Sequence, residues 1–448
     1  MNLTSFLQKL RNKHFLSLAG NAVMSVLGMI TIAVLYRALS VSDIGIWVFF
    51  QSILLLVDTF RSGFITTAFI KFYAGATEEK KAEVTGATWY IGSLITGSFI
   101  VLNILAFFVL DSFDNPGLLL FLKWFGLSYL STLPMFIATC IVQAEQRFDR
   151  LLIIRLLNQG LFIVFVFALA ILKIVSLQMV VYSNLAAGGI ASLVVVMNGW
   201  SKITVFSKRT KESVLELYHF GKYSVGTTLS SNLFRTSDTF IINFMLGAPA
   251  LAVYNLGQRL MELIEIPLRS FAATAMPGLA AAYNGNNREE LIITMKKYTG
   301  TITVALVPVV VCGVLLADVA IYILGGKNYM DTEAANVFRL FLTFALLYPA
   351  DRFLALTVDV INMPKVNFIK VLVMLVVNVV CNFIGIYLFG NIYGVALATL
   401  FPILIGVGVG YTVLNSYRHF SFFSIYSFGW NECKTAIANI RNRNGRPD

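Results

Sequence analysis

Apolar runs of twenty or more residues recur along almost the whole chain, and they leave it few ways to fold. A hydrocarbon core about 30 Å thick needs roughly 20 apolar residues per helix. With that ruler the sequence yields twelve windows, near 15–37, 44–71, 84–110, 118–143, 152–172, 177–199, 220–246, 252–282, 298–324, 336–361, 366–389 and 392–415. Breakers separate them, among them Asp114-Asn115-Pro116-Gly117, Gly247-Ala248-Pro249, Gly325-Gly326, Asn362-Met363-Pro364 and Gly390-Asn391. The runs are continuous and show no period-two alternation, so helices are expected rather than barrel strands. A water-facing surface is not available, because only 13% of residues are charged and 58% are hydrophobic. A soluble domain carries roughly a quarter charged residues. A soluble enzyme, a disordered scaffold and a nucleic-acid binder are therefore excluded, the last despite a formal net charge of +11. The fold class expected is an all-α membrane protein of about twelve transmembrane helices. The first window is longer than a signal-peptide core and lacks a small-residue cleavage site after it, so it reads as a retained helix.

The positive charges set the orientation. If both termini lie inside, 24 of the 34 Lys and Arg fall in inside segments, including Lys9, Arg11, Lys80, Lys81, Arg147, Arg150, Lys202, Lys365 and Lys370. Only Arg37, Lys123, Lys173, Lys327 and Arg339 fall outside. The +11 is thus mostly a topology signal. The expected placement is multi-pass, with both termini cytoplasmic. Cys140, Cys312 and Cys381 sit in apolar segments, Cys433 sits in the tail, and no CxxC spacing occurs. Neither a disulfide framework nor a metal site is expected. His14, His219 and His419 lie singly at inner edges, which suits interface placement.

Six windows precede a basic linker at 200–219 and six follow it. The expected organisation is a six-helix lobe over 1–199, the linker, a second six-helix lobe over 220–415, and a basic and aromatic cytoplasmic tail over 416–448. An offset of 207 places Leu39 on Leu246, Gly45 on Ala252, Trp47 on Tyr254 and Asp58 on Glu265. Six is even, so both halves enter the membrane from the same side. This predicts two parallel repeats about an axis along the membrane normal. The aromatic and then basic tail suits a segment lying on anionic lipid.

Several segments together resemble a known family. They are the run from Leu35 to Trp47, the Arg235-x-x-Asp238 of the seventh window leading to Leu246-Gly247 and Tyr254-Asn255-Leu256, and the turn Ala144-Glu145-Gln146-Arg147-Phe148. Leu324-Gly325-Gly326-Lys327-Asn328-Tyr329, followed by Phe338-Arg339-Leu340, adds to them. The likeness is to the polysaccharide (O-antigen type) flippases of the multidrug/oligosaccharidyl-lipid/polysaccharide (MOP) exporter superfamily. It covers nearly the whole chain. The resemblance implies a V-shaped bundle like that of multidrug (MATE) exporters, in a bacterial inner membrane. It also implies transport of an undecaprenyl-pyrophosphate-linked oligosaccharide, with H+ or Na+ exchange or the membrane potential as the drive. Membrane lipids and polysaccharide-assembly proteins are the partners it suggests. The alternative within the superfamily is a cation-coupled multidrug exporter. A membrane enzyme would need a large outer loop or a clustered acid/base set, and the sequence has neither.

Ionisable groups inside a bilayer are costly and functional by default. The windows hold Asp58, Arg61, Arg235, Asp238, Arg259, Glu262, Glu265, Arg269, Asp318, Asp351, Arg352 and Asp359. Asp58–Arg61 and Arg235–Asp238 have the i,i+3 spacing of helical neighbours. Arg259, Glu262, Glu265 and Arg269 fall on one stripe about 120° wide at 100° per residue. Arg352 and Asp359 share a face. Arg61, Arg235, Arg259, Arg269 and Arg352 are the candidate substrate-binding groups, since the guanidinium fork suits pyrophosphate. Asp58, Asp238, Glu262, Glu265 and Asp359 are the candidate coupling-ion or ion-pair acids. Glu262 and Glu265, close on one helix, suit a proton carrier. Asp318, near a window end, suits snorkelling or capping. Pro134, Pro267, Pro277, Pro308, Pro349 and Pro402 lie inside windows, five of the six in the second half, which predicts more bending there.

Overall fold

The computed structural model describes residues 13–444 apart from 109, 111 and 112. Lys9, Arg11 and Arg446 lie outside the described residues. Among the described residues there is no strand, and the helices run in chain order without an intervening domain. The first six are α1 (Lys13–Ala38), α2 (Val41–Tyr73), α3 (Glu78–Phe107), α4 (Pro116–Ala144), α5 (Phe148–Ile171) and α6 (Leu177–Met197). A 3-10 turn, Ile203–Lys208, leads to α7 (Lys211–Met245). Then come α8 (Ala248–Asn284), α9 (Arg288–Leu315), α10 (Ala317–Gly325), α11 (Ala334–Ala345), α12 (Tyr348–Val360), α13 (Pro364–Phe389), α14 (Ile392–Ala398), α15 (Leu400–Tyr417) and α16 (Ser424–Asn444).

Each apolar window is occupied by a helix or by a broken pair. The caps are those the sequence supplies. Ser40 accepts from the Asp43 amide at the start of α2, and Asn115 accepts from the amides of Gly117 and Leu118 at the start of α4. These side chains satisfy amides that a helix start leaves unpaired. Among the described residues, eight helices are long and apolar enough to cross a membrane, or nine if α11 and α12, bent by 44° at their junction, count as one span. Helices α7 and α8 are more polar, α7 through its Ser, Thr and Asn residues together with Arg235 and Asp238, and α8 through its charge stripe. The chain is a multi-pass membrane protein.

Three windows expected to be single helices are broken, all in the second half. The ninth breaks at Leu316, the tenth at Leu346–Leu347 and the twelfth at Thr399. Proline explains two of them. Pro349 and Pro402 lack the N–H that would bond the carbonyls four residues back, at Ala345 and Ala398, where α11 and α14 end. Pro267 and Pro277 sit inside an unbroken α8.

The chain divides into two compact units, Met1–Thr236 and Ser237–Asp448, with the division inside α7. In the first unit, Ile65, Phe69 and Tyr73 of α2 pack with Val84 and Trp89 of α3 and with Ile137 and Ile141 of α4. In the second, α8 is buried from Leu251 to Gly257, the two turns after its first.

The segment over 200–219 is not a free linker. It docks on α3 of the first unit. The Trp89 indole donates to the Ser201 carbonyl at 2.8 Å, and Glu83 accepts from Thr210 (3.1 Å) and Ser213 (3.0 Å). Lys80 pairs with Glu216 at 2.8 Å. Gly86 permits the approach, since a methyl group there would stand 2.6 Å from the Val205 carbonyl oxygen. Lys202 holds left-handed backbone (φ 46°), a conformation that favours glycine. Its ammonium is fixed at 2.7 Å from both Glu145 and the Tyr73 hydroxyl.

The tail is docked in the same way. Helix α16 packs across α9, with Ile425 fully buried and Lys297 paired with Glu432 at 3.0 Å. Gly300 of α9 meets the Ile425 carbonyl and Gly429 so closely that neither glycine has room for a methyl group.

Candidate functional site

The first unit holds the Asp58–Arg61 pair that the spacing predicted. The Arg61 Nε donates to Asp58 Oδ1 at 2.9 Å, and its Nη1 donates to the Tyr129 carbonyl at 3.3 Å. The guanidinium also lies 4.5 Å from the Phe136 ring centre and 5.0 Å from that of Tyr129. Only 5% of Arg61 is exposed. Aromatic faces and a carboxylate therefore saturate this cation, and its geometry suits a group that positions Asp58.

The second unit holds a buried acid with no basic partner among the described residues. Asp238 and Arg235 were expected to pair, but they do not. Asp238 instead turns to neutral donors. Its Oδ2 accepts from the Tyr254 hydroxyl at 2.8 Å, and its Oδ1 accepts from the side-chain amides of Asn378 (2.6 Å) and Asn382 (2.7 Å) on α13. The Asn382 Oδ1 is buried and has no hydrogen-bond partner among the described residues. A buried acid without a counter-charge is a high-stakes arrangement, and three donors are what keep it tolerable.

The α8 stripe resolves into two pairs, each closed on itself. Arg259 bonds Glu262 at 2.8 Å, and Arg269 bonds Glu265 one turn away. Glu262 and Glu265 do not form a carboxyl dyad, because each is tied to its own arginine. All four side chains are partly exposed. Glu265–Arg269 and Asp58–Arg61 are acid–base pairs on the second helix of their halves, where the offset of 207 aligned the two acids.

That leaves two cations. Arg235 and Arg352 are exposed, and neither makes an ion pair among the described residues. Asp359, also exposed, accepts from Asn367 at 2.7 Å. Asp318, in the first turn of α10, pairs with Arg339 at 2.5 Å instead of snorkelling alone. Among the described residues no cluster of His, Cys, Asp and Glu could hold a metal.

Sequence reasoning missed one buried charge. Lys370, placed with the inside loop residues, lies two turns into α13, is 4% exposed and pairs with Asp351 at 3.0 Å. It should leave the list of topology-setting charges. A signal was present, because Lys370, Asn378 and Asn382 recur at multiples of four in an otherwise apolar run, which puts them on one face.

Comparisons with known proteins give the family and the fold. A family model described as "Polysaccharide biosynthesis protein" matches residues 34–334. The fold resembles the lipid II flippase MurJ in an inward closed conformation (TM-score 0.71, 15% identity, 96% of this chain and 93% of that one). It resembles equally an inward-facing multidrug resistance MATE family transporter of the MOP superfamily (TM-score 0.70, 16% identity, 89% of this chain and 96% of that one). A MOP superfamily transporter from Pyrococcus furiosus is more distant in shape (TM-score 0.57, 16% identity, 90% of this chain and 94% of that one). No curated protein matches the chain in sequence. Two thirds of the chain fall under the family model and nearly all of it under the shared fold, so the chain belongs to the polysaccharide biosynthesis protein family and has the fold of MOP superfamily transporters.

Proposed function

We propose that this protein is a flippase. It moves an oligosaccharide carried on a polyprenyl pyrophosphate across the bacterial inner membrane by alternating access, with both termini in the cytoplasm. The observation that carries this reading is the pair of exposed guanidinium groups, Arg235 on α7 and Arg352 on α12, each inside an apolar window of the sequence and without an ion pair among the described residues. A charge there is tolerated where water or an anion meets it. A pyrophosphate offers the paired acceptor oxygens that the guanidinium fork matches. Arg259 and Arg269 are partly exposed on their carboxylates and can exchange those partners for phosphate as the cargo passes. Asp238 is the acid for the coupling cation, H+ or Na+. Its donors are neutral, and the unpartnered Asn382 oxygen supplies a further ligand. The family supports a saccharide cargo.

The multidrug-exporter reading draws on the MATE fold and on Asp238, but it gives the two free arginines no role. The test uses purified protein in liposomes that carry a fluorescent polyprenyl-pyrophosphate oligosaccharide and an impermeant quencher. Wild-type protein should move the lipid between leaflets, and Arg235→Gln with Arg352→Gln should slow it at least about tenfold, the value of one lost charge-assisted contact. No movement by wild type, together with extrusion of a cationic dye, would favour the exporter.

A further inference from the structure

Helices α2, α4 and α6 of the first unit line an open cavity of about 260 Å³, bordered among others by Gln51, Asp58, Arg61, Ser131, Thr132 and Asn184. Its chemistry differs from that of the free arginines. Arg61 carries its charge against Asp58, so the cavity is electrically neutral. Arg61 holds only Oδ1 of that carboxylate, which leaves Oδ2 as an acceptor. Gln51 and Asn184 are half-buried, and their amides have no hydrogen-bond partner among the described residues. Ser131 and Thr132 donate to the Ser128 carbonyl at 3.0 and 2.8 Å, so their oxygens still have lone pairs to offer.

An amide side chain sets a donor and an acceptor side by side. Two such amides and a carboxylate oxygen around a small cavity suit a ring whose neighbouring hydroxyls each donate and accept. A pyrophosphate would meet no net positive charge here, and an apolar ligand would leave both amides unpaired at a cost. We propose that this cavity is a subsite for one uncharged sugar ring of the cargo. The inference rests on the flippase reading and adds to it the group bound and its place.

Two measurements on the full chain test it. Saturation-transfer NMR on the detergent-solubilised protein probes soluble neutral disaccharides. The liposome assay compares polyprenyl pyrophosphate bearing a disaccharide with polyprenyl pyrophosphate alone. Gln51→Leu and Asn184→Leu, on different helices, should abolish the saccharide signal and slow the sugar-bearing lipid about tenfold. The bare lipid should move at the wild-type rate. Asn184→Gln keeps the amide and should keep a saccharide signal, and melting curves matching wild type exclude misfolding. A wild type without saccharide signal, a signal that survives both leucine variants, or equal slowing of both lipids overturns the subsite. If wild type moves neither lipid yet its saccharide signal vanishes in both leucine variants, the flippase reading fails and the subsite stands.

Discussion

The Lys370 ammonium stands 3.0 Å from Asp351, with the lysine almost wholly buried and the aspartate 30% exposed. The asymmetry fixes which partner matters more. Removing the carboxylate strands a buried cation, so Asp351→Ala should destabilise the fold by about 3 kcal/mol, the lower end for breaking a buried pair. Lys370→Met leaves an aspartate that can still reach water and should cost less. The double variant should recover most of the loss. Unfolding curves in mixed micelles measure all three, and a Lys370→Met as damaging as Asp351→Ala would show that the exposure difference is energetically silent.

Asp238 should separate folding from coupling. Asp238→Asn keeps the shape and most hydrogen-bond partners but removes the charge. It should leave expression and melting near wild type while making transport insensitive to an imposed proton or sodium gradient. Tyr254→Phe deletes one hydrogen bond to a buried carboxylate and should cost about 2 kcal/mol. Gradient-driven uptake into vesicles reads the first effect, and thermal unfolding reads the second. Full gradient dependence in Asp238→Asn would move the coupling site elsewhere.

The crossing of α16 over α9 should tolerate no side chain. Gly300→Leu forces the Ile425 carbonyl and Gly429 away from α9. Overpacking of this sort costs about 1–3 kcal/mol. The tail should then become the first site of limited proteolysis, with cleavage between Phe420 and Lys434 in the variant and not in wild type. Equal cleavage of both would mean that the helix is not held by this contact.

The Glu145–Lys202 contact predicts a pH window. Burial pushes the Glu145 carboxyl up, but hydrogen bonds from Lys202 and Tyr73 outweigh it and hold the group below its ordinary value of 4.5. Burial lowers Lys202, and its bonds to Glu145 and Tyr73 reverse that and raise it above 10.5. The acid's contribution is present above its unfolded value and is lost as pH falls through the folded one. The base's contribution is present below 10.5 and is lost as pH rises through its folded value. The melting difference between wild type and Glu145→Gln should therefore stay constant from about pH 5.5 to 9 and shrink in stronger acid and again in strong base, where Lys202 loses its proton. A difference that varies across the neutral range would contradict this assignment.

The positions of the helices were legible because length and hydropathy alone determine where a chain can cross a membrane. Charged positions were legible too, and the i,i+3 rule found Asp58–Arg61. It failed at Arg235–Asp238 because Asp238 has better partners on helices remote in sequence, and spacing within one helix cannot register them. The same limit hid Lys370. Counting bases by loop treats every lysine near a window end as solvated, whereas Asp351 lies 19 residues before Lys370 and gives it a reason to be buried. The helix breaks at Pro349 and Pro402 follow from the missing N–H, but Pro267 and Pro277 show that proline permits a break without requiring one.

The two docked segments also say something about how such a chain is joined. In each unit a lysine of the third helix pairs with a glutamate of the segment after the sixth, Lys80 with Glu216 and Lys297 with Glu432. A glycine a turn or two further on, Gly86 or Gly300, receives that segment's backbone. In the second unit the segment ends the described chain, whereas in the first it runs straight on as the start of α7. A single helix of 35 residues therefore carries the docked segment of the first unit in its opening turns and enters the second unit with its last ones, so a strain on that docked segment is passed along one rigid rod.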